Sequence, residues 1–366
     1  MNRTDAIAWV LTVCAGLRLS QAKTLAELVP AAMRVGRVSL AEIGRSLLGA
    51  TAVKHRIKRA WRFTNNTRVE VSDAMRGVIA RLLKRHKKKP LLVALDWTDI
   101  RDFHTLMAAA VMQGRAIPLL WATYPKWKLF RSQNSFEEGL LRLLRTMIPQ
   151  EISVILLADR GFGRTELGRL CRSLGFHYVV RITPDVWVRA DRYRGKLLDY
   201  PVKKGICRML REVEYRKQNP LVQNVIVRWK KGLPKHRDEC WFLMTDLDES
   251  PLRLSELYGK RMTVEELFRD DKNRRNGFAL RNIQIQRADR IDRLLLILAL
   301  AYILLVGLGL RARQQYPPST WCSSNDPGQC SVFTIGRILH AHLQIPPPSA
   351  LAAVALALRE AAPNWG

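Results

Sequence analysis

The sequence predicts an α/β protein in which helices flank a mixed β-sheet. Residues 1–89 have helical periodicity, whereas apolar runs of strand length alternate with amphipathic helices between residues 90 and 183. Residues 184–247 contain short apolar runs separated by basic turns, which predicts an inserted β segment. The 366-residue length and the 48% hydrophobic content allow a large core and exclude wholesale disorder.

The charge balance constrains the partner of the protein. The chain has 61 Lys and Arg residues against 32 Asp and Glu residues, which gives a formal net charge of +29. This excess favours a polyanion, either nucleic acid or an anionic membrane surface, over the substrate of a small-metabolite enzyme. We expect nucleic acid to be the partner and the protein to work in a bacterial-type cytosol, associated with the nucleoid.

The cysteines and the apolar segments fit this cytosolic interpretation. The six cysteines include no CxxC pair, which favours reduced thiols over a disulfide framework or a zinc site. The apolar N-terminal stretch is broken at Cys14-Ala15-Gly16 and is interpreted as a helix, with a signal peptide as the alternative. Leu294–Leu310 is a 17-residue run without charge, at the lower limit for a membrane span. We expect it to be a buried core helix, and no membrane partner.

Residues 1–89 are predicted to be a helical DNA-binding region. Ser39 and Glu42 form a capping-box pattern that opens a short helix, and Thr51 can cap a second helix that ends near Phe63. A short helix, a Gly turn and a basic helix are what a helix-turn-helix reader requires, and a solvated basic helix in a bundle is the alternative. The candidate DNA-binding residues on the second helix are Lys54, Arg56, Lys58, Arg59 and Arg62.

Residues 90–183 are predicted to form the first part of a core with an RNase H-like order of elements. A meander of three strands precedes a helix from Ser135 to about Met147, and a strand, a helix and a strand follow. Asp96 and Asp159 each follow an apolar strand, where open α/β sheets place their chemistry. The rest of the chain divides into the β insertion 184–247, the second part of the core 248–312, and a Pro-containing tail with a helix at 313–366.

Four residues of the second core part have a regular spacing. Tyr258, Arg261, Glu265 and Lys272 follow one another at intervals of 3, 4 and 7. One helix would hold all four within an arc of roughly 60°. A carboxylate between two cations and a phenol suits a metal ligand that works beside a phosphate backbone.

These residues resemble a known family. Their spacing matches Y-(2)-R-(3)-E-(6)-K, the signature of the DDE transposases of the insertion-sequence-four family. Asp96 in LLVALDWTD resembles the first aspartate of that family, and Asp159 in LLADRGFG resembles its second motif. The resemblance covers roughly residues 30–310. Asp99 and Glu266 are the competing candidates for the first and third acid.

The resemblance implies a catalytic site. Asp96, Asp159 and Glu265 would be both the catalytic residues and the ligands of two Mg²⁺ ions, with Mn²⁺ as a substitute. Tyr258, Arg261 and Lys272 would hold the phosphates and the DNA end. Hard oxygen ligands suit Mg²⁺, and two such ions can activate the attacking hydroxyl and stabilise the leaving oxygen.

The resemblance also gives Trp241 a role. It lies in the segment Trp241-Phe-Leu-Met-Thr245, which has the form of the strand on which hairpin-forming members carry a stacking Trp. There it would stack on a base flipped out of the transposon end. An ordinary buried Trp in a small sheet is the alternative.

The implied function is that of an insertion-sequence transposase. Such a protein binds terminal inverted repeats in double-stranded DNA, cleaves the strands in a metal-dependent reaction and transfers them to target DNA. The route would be cut-and-paste, through a hairpin intermediate if Trp241 acts as implied, and the synaptic complex would be a homodimer. The alternatives are a non-catalytic DNA-binding protein or decayed transposase, and a nuclease that cuts without strand transfer.

Overall fold

A computed structural model gives the architecture of the chain. It describes residues 3–364 apart from positions 36, 85, 87–88, 131, 232–238, 276, 324–327, 329 and 343–344. The basic linker expected at 84–89 lies partly outside the described residues.

The N-terminal region is helical, as predicted. Its helices are α1 (Arg3–Val13), α2 (Leu19–Arg34), α3 (Leu40–Ser46), α4 (Val53–Asn65) and α5 (Val71–Leu83). The Ser39 hydroxyl accepts a hydrogen bond from the Glu42 amide at 3.0 Å, which confirms the predicted cap of α3. The predicted cap of α4 is wrong: this helix begins at Val53, with Ala52 as its N-cap residue.

The centre of the molecule is one mixed sheet, which confirms the predicted α/β class. Its strands are β1 (Leu91–Ile100), β2 (Phe103–Met112), β3 (Arg115–Pro125), β4 (Val154–Ala158), β5 (Phe176–Arg181), β6 (Trp187–Ala190), β7 (Tyr193–Lys196), β8 (Cys207–Tyr215), β9 (Leu221–Arg228) and β10 (Trp241–Thr245). Their order is β3-β2-β1-β4-β5-β10-β9-β8-β6-β7. β1, β4 and β5 are parallel to one another, and the other neighbouring pairs are antiparallel.

Two features of this sheet differ in detail from the sequence pattern. β1 continues to Ile100, beyond the apolar run that ends at Leu95, because residues 96–100 pair with β2. The inserted strands β6 to β9 extend the central sheet, since β10 pairs with β5 on one side and with β9 on the other. The insertion and the core therefore share one hydrogen-bonded sheet.

Seven further helices follow β3 within the described residues. They are α6 (Gln133–Met147), α7 (Thr165–Ser173), α8 (Pro251–Gly259), α9 (Thr263–Lys272), α10 (Ala288–Gln315), α11 (Val332–Leu339) and α12 (Pro347–Ala361). Of the described residues, α10 is the one helix long and apolar enough to cross a membrane, but 94% of its apolar window is buried inside the protein. It packs against α2, α11, α12 and β3, as expected of a core helix.

Candidate active site

Asp96 and Asp159 lie side by side at one end of the sheet. The parallel register pairs Leu95 of β1 with Ala158 of β4, and each acid is the next residue of its chain. The Asp159 carboxylate accepts the Gly161 amide at 2.9 Å, which caps a short 3₁₀ turn at Arg160–Phe162. Adjacent parallel strands thus bring together two carboxylates that are far apart in sequence.

The segment from Tyr258 to Lys272 is not one helix. α8 ends at Gly259, a 3₁₀ turn spans Lys260–Met262, and α9 begins at Thr263. Gly259 weakens the helix at this point because glycine loses more backbone freedom than any other residue. The prediction of a single continuous helical face is therefore wrong, although Arg261 and Glu265 keep an (i, i+4) contact.

Arg261 joins the third candidate acid to the first. Its Nη1 donates to Asp96 Oδ2 at 3.0 Å, and its Nη2 donates to Glu265 Oε1 at 2.9 Å. The guanidinium is buried and also lies against the ring of Tyr258, with 6.0 Å from Cζ to the ring centroid. A planar guanidinium can bind two carboxylates at once, which a lysine ammonium does less well.

The electrostatics of Asp96 reflect all three carboxylates. Burial raises the pKa of Asp96 to about 6, and repulsion from Asp159 and Glu265 acts in the same direction. Arg261 is the largest opposing influence on the pKa of Asp96. The three acids therefore share one region of negative potential, in which Arg261 supplies the balancing positive charge.

The donor set fits a hard divalent cation. Two carboxylates at one end of the sheet and a third on α9 provide the oxygen ligands that Mg²⁺ or Mn²⁺ prefers. Within the described part of the chain, no three His, Cys, Asp or Glu side chains are already gathered closely enough to hold a metal. Arg261 occupies the space between Asp96 and Glu265 and partly neutralises the charge that a cation would balance.

Lys272 lies beside β1 rather than beside Glu265. Its ammonium donates to Thr98 Oγ1 at 2.6 Å, and burial lowers the pKa of Lys272. Thr98 and Asp96 project from the same face of the strand because side chains alternate along it. Lys272 is therefore near the first acid, about 7 Å further along the strand direction.

Glu137 is a residue of this region that sequence reasoning missed. Its carboxylate accepts Trp97 Nε1 at 2.8 Å and pairs with the guanidinium of Arg164, and it is 1% exposed. Trp97 follows Asp96, and Arg164 is the N-cap residue of α7, two residues after the turn that Asp159 caps. The available signal was an acidic residue at helical spacing from Leu140, Leu141 and Leu144, on the apolar face of α6.

Trp241 extends the site toward the inserted strands. It is half-buried on β10 and packs edge-to-face on Tyr258, with ring centroids 5.1 Å apart. Lys230 Nζ lies 4.2 Å from the centroid of the Trp241 ring, and the Arg228 guanidinium lies 5.8 Å away. The indole is thus partly exposed, and two cations lie close to its ring, next to the candidate catalytic residues.

The basic residues of α4 form a separate surface and divide into two groups. Lys54, Lys58 and Arg62 are exposed. Arg56 donates to the Leu47 carbonyl, and Arg59 pairs with Glu27 at 2.8 Å, so both hold neighbouring helices together. The exposed group alone is available to a partner without breaking contacts that stabilise the N-terminal helices.

The competing acids have other partners. Asp99 contacts His104 at 2.9 Å and Lys126 at 3.4 Å, whereas Glu266 pairs with Arg269 and lies 3.6 Å from Arg115. These contacts point away from Arg261 and support Asp96 and Glu265 as the better candidates.

The sequence pattern of α9 favours solvated side chains for its two later acids, and this expectation is wrong. Asp270 and Asp271 are both buried. Asp270 forms an ion pair with Arg115, with 2.7 Å from Oδ2 to Nε, and accepts a hydrogen bond from the Tyr302 hydroxyl at 3.1 Å. The hydrophobic pattern of α9 does not reveal this burial, because α9 packs on β1, β2 and β3, and Asp270 also bonds Tyr302 of the core helix.

Comparison with known proteins agrees with this geometry. A family model described as "Transposase DDE domain" matches residues 87–304, more than half of the chain, and this range includes Asp96, Asp159 and Glu265. A search of curated proteins finds no match. The matched range also spans the sheet from β1 to β10 and most of the core helix α10. The chain belongs to the family of the transposase DDE domain, with an RNase H-like fold and helices ahead of it.

Proposed function

We propose that the protein is the transposase of an insertion sequence of the insertion-sequence-four family. It binds terminal inverted repeats, cleaves the DNA strands at their boundaries and transfers the 3′-hydroxyl into target DNA. The observation that carries this proposal is the cluster of Asp96, Asp159 and Glu265 around the guanidinium of Arg261. Such a cluster of oxygen donors next to cations suits chemistry on a phosphodiester.

Asp96, Asp159 and Glu265 would hold two Mg²⁺ ions, for which Mn²⁺ can substitute. When bound, these ions supply an activated hydroxyl and stabilise the leaving oxygen. Carboxylates suit this task because their charge compensates the cations and their oxygens match the preference of Mg²⁺. The donor set of this chain contains neither His nor Cys, which fits Mg²⁺ better than zinc.

The cations and the phenol beside the acids would orient the DNA. Arg261 bonds Asp96 and Lys272 bonds Thr98, two residues further along β1; both cations would bind phosphate oxygens, with Tyr258 packed against Arg261. Trp241, next to Tyr258, would stack on a base flipped out of the transposon end, which requires the Lys230 ammonium to leave the ring face. This stacking would support a hairpin route for cut-and-paste excision.

Each region of the chain would have its own role. Residues 1–89 would recognise the terminal repeat, mainly through the exposed side chains of Lys54, Lys58 and Arg62, while Arg56 and Arg59 position the helix. Residues 90–183 and 248–312 would form the catalytic core, 184–247 the inserted strands, and 313–366 the C-terminal tail. A homodimer would pair two DNA ends, in the cytosol and close to the nucleoid.

Cleavage of DNA that carries the terminal repeat of the element tests the proposal. Wild-type protein with Mg²⁺ should cut at the repeat boundary, and Glu265→Gln should bind the same DNA without cutting it. Glu266→Gln is the matched control, because it removes the same charge from the adjacent residue and should retain cleavage.

Three results would count against the proposal. Equal cleavage by the Glu265 and Glu266 variants would remove Glu265 from the site. Binding without cutting by the wild type, in Mg²⁺ and in Mn²⁺, would assign a non-catalytic DNA-binding protein. Cutting without joined products, when a target plasmid and pre-cut ends are supplied, would assign a nuclease.

A further inference from the structure

Two aromatic side chains project into solvent between β3 and α6. Residues 125–130, named here the aromatic loop, contain Trp127 and Phe130, which are 76% and 77% exposed. These are the highest values among the large apolar side chains that the structure describes. Exposed apolar groups this close together mark a contact surface more often than isolated ones do.

The aromatic loop lies at the end of the sheet that carries the candidate catalytic acids. β3 and β2 pair Pro125 with Phe103, and β2 and β1 pair Phe103 with Ile100. The loop therefore begins where β1 ends, and the Lys126 amide donates to the Asp102 carbonyl at 3.2 Å. The Lys126 ammonium also lies 3.4 Å from Asp99, a residue about 10 Å along β1 from Asp96.

The charge of the aromatic loop indicates which class of partner it binds. Lys126 and Lys128 are exposed on either side of Trp127, and Lys128 Nζ is 5.3 Å from the centroid of the indole. The whole chain carries a net charge of +29, so a second copy would bring like charge to a basic surface. An anionic partner that reaches the catalytic end of the sheet fits both the cations and the position.

We infer that Trp127 and Phe130 bind unpaired bases of DNA that lies across the catalytic end of the sheet. This inference rests on the proposed function, because it takes the substrate of that site to be DNA. Aromatic faces replace the stacking that a base loses when it leaves the duplex, and they do so with little regard to sequence. Exposed apolar side chains can also enter a base step and open it. The loop thus stabilises distorted DNA next to the acids, independently of the terminal repeat.

The test uses the full-length protein labelled with 5-fluorotryptophan and two DNA duplexes of the same unrelated sequence. One duplex is fully paired and the other has a short central bubble of mismatches. The ¹⁹F resonance of Trp127 is identified by its absence from Trp127→Phe, and we expect it to shift when the bubble duplex is added. Trp127→Ala and Phe130→Ala should each weaken binding of the bubble duplex by about tenfold, with a smaller effect on the paired duplex.

Tyr316→Ala is the matched control. Tyr316 is also an exposed aromatic residue, and it caps the far end of α10. The near end of α10 meets β3, where Trp121 Nε1 donates to the Asp292 carbonyl at 3.2 Å. The helical rise places Tyr316 about 35 Å from that contact. The Tyr316 variant should bind both duplexes as the wild type does.

The outcomes separate this inference from the proposed function. The inference would be overturned if the wild type binds and cleaves DNA but its Trp127 resonance does not shift, and if both loop variants keep the wild-type affinities. The proposed function would then still stand. Failure of the wild type to bind either unrelated duplex would overturn the inference, whereas failure to bind or cleave DNA that carries the terminal repeat would remove the proposed function itself. The only effect of Trp127→Ala could instead be a loss of binding to anionic phospholipid vesicles, or the loss of a dimer in solution. Either result would assign the loop to another partner and overturn the inference.

Discussion

Arg261 donates to Asp96 across 165 residues of sequence, at 3.0 Å, while its other terminal nitrogen binds Glu265 at 2.9 Å. One side chain thereby ties the helix that carries the third candidate acid to the strand that carries the first. The contact also places a buried positive charge among three carboxylates, where burial and mutual repulsion raise the pKa of Asp96 to about 6.

Removal of Arg261 should destabilise the protein and increase its response to metal. Arg261→Ala leaves the buried carboxylate of Asp96 without its cation, which should lower the free energy of unfolding by about 3 kcal/mol. Added Mg²⁺ can balance the same charge, and a ligand that binds only the folded state raises its stability. The Mg²⁺-induced rise in melting temperature should therefore be larger in this variant than in the wild type.

Arg269→Ala is the control for that measurement. Arg269 also pairs with a glutamate of α9, but its side chain is mostly exposed. Its loss should change stability by less than about 1 kcal/mol and should leave the Mg²⁺ response unaltered. A Mg²⁺ response in Arg261→Ala no larger than in the wild type would contradict the placement of Arg261 at a cation site.

Neutralising Glu137 should disturb the candidate acids without touching them. Glu137→Gln leaves the buried guanidinium of Arg164 unpaired, which should lower the free energy of unfolding by about 3–5 kcal/mol. Because Trp97 directly follows Asp96 and Arg164 begins the helix after Asp159, cleavage per folded molecule should fall as well. Urea unfolding and cleavage at matched folded concentration measure the two effects.

Glu138→Gln provides the matched comparison on α6, since residue 138 is only partly buried. It should leave both quantities near the wild-type values. Normal cleavage by folded Glu137→Gln protein would show that this carboxylate stabilises the fold without positioning the acids.

The sheet was predictable because each of its central strands is an apolar run of strand length. The apolar run Phe103–Met112 of the predicted meander is the whole of β2, and the runs that end before Asp96 and Asp159 correspond to β1 and β4. The adjacency of the two acids then follows from the parallel pairing of these strands. Sequence periodicity indicates which residues are buried on one element, and that is enough for this part of the fold.

Contacts between distant elements were not predictable in the same way. The bond from Arg261 to Asp96 and the burial of Asp271 depend on how α9 lies on the sheet, which no local pattern records. The break at Gly259 gave a weak local signal, because an isolated glycine inside a helical pattern is often tolerated. The role of Glu137 required knowledge of its partners on β1 and after β4.

The buried Asp271 should make stability fall as the pH rises. Burial, with repulsion from Asp270, raises the pKa of Asp271 to about 8, well above its value in the unfolded chain. Between these two values the folded state binds the proton more tightly, so the unfolding free energy decreases from about pH 4 to pH 8. Asp271→Asn removes this penalty, and at pH 8 the variant should be more stable than the wild type by about 1 kcal/mol or more.

Urea unfolding at pH 5 and pH 8, at constant ionic strength, measures this effect. The difference between Asp271→Asn and the wild type should be smaller at pH 5, where the folded protein keeps the proton. Asp248→Asn is the control, because Asp248 is exposed and pairs with Arg211 at the surface. A difference that does not grow with pH would show that Asp271 is ionised in the folded state at both values.

Two neighbouring cations of α4 should separate DNA binding from stability. Lys58 is exposed, so Lys58→Ala should weaken binding of all DNA sequences and reduce the slope of log affinity against log salt by about 1. Its melting temperature should stay at the wild-type value.

Arg59 pairs with Glu27, so Arg59→Ala should lower the unfolding free energy by less than about 1 kcal/mol and change the salt slope less than Lys58→Ala does. Affinities measured over a range of salt concentrations, together with melting curves, distinguish the two variants. The opposite assignment, with the larger salt effect at Arg59, would mean that α4 meets DNA through the face that now contacts α2, and that the N-terminal helices rearrange on binding.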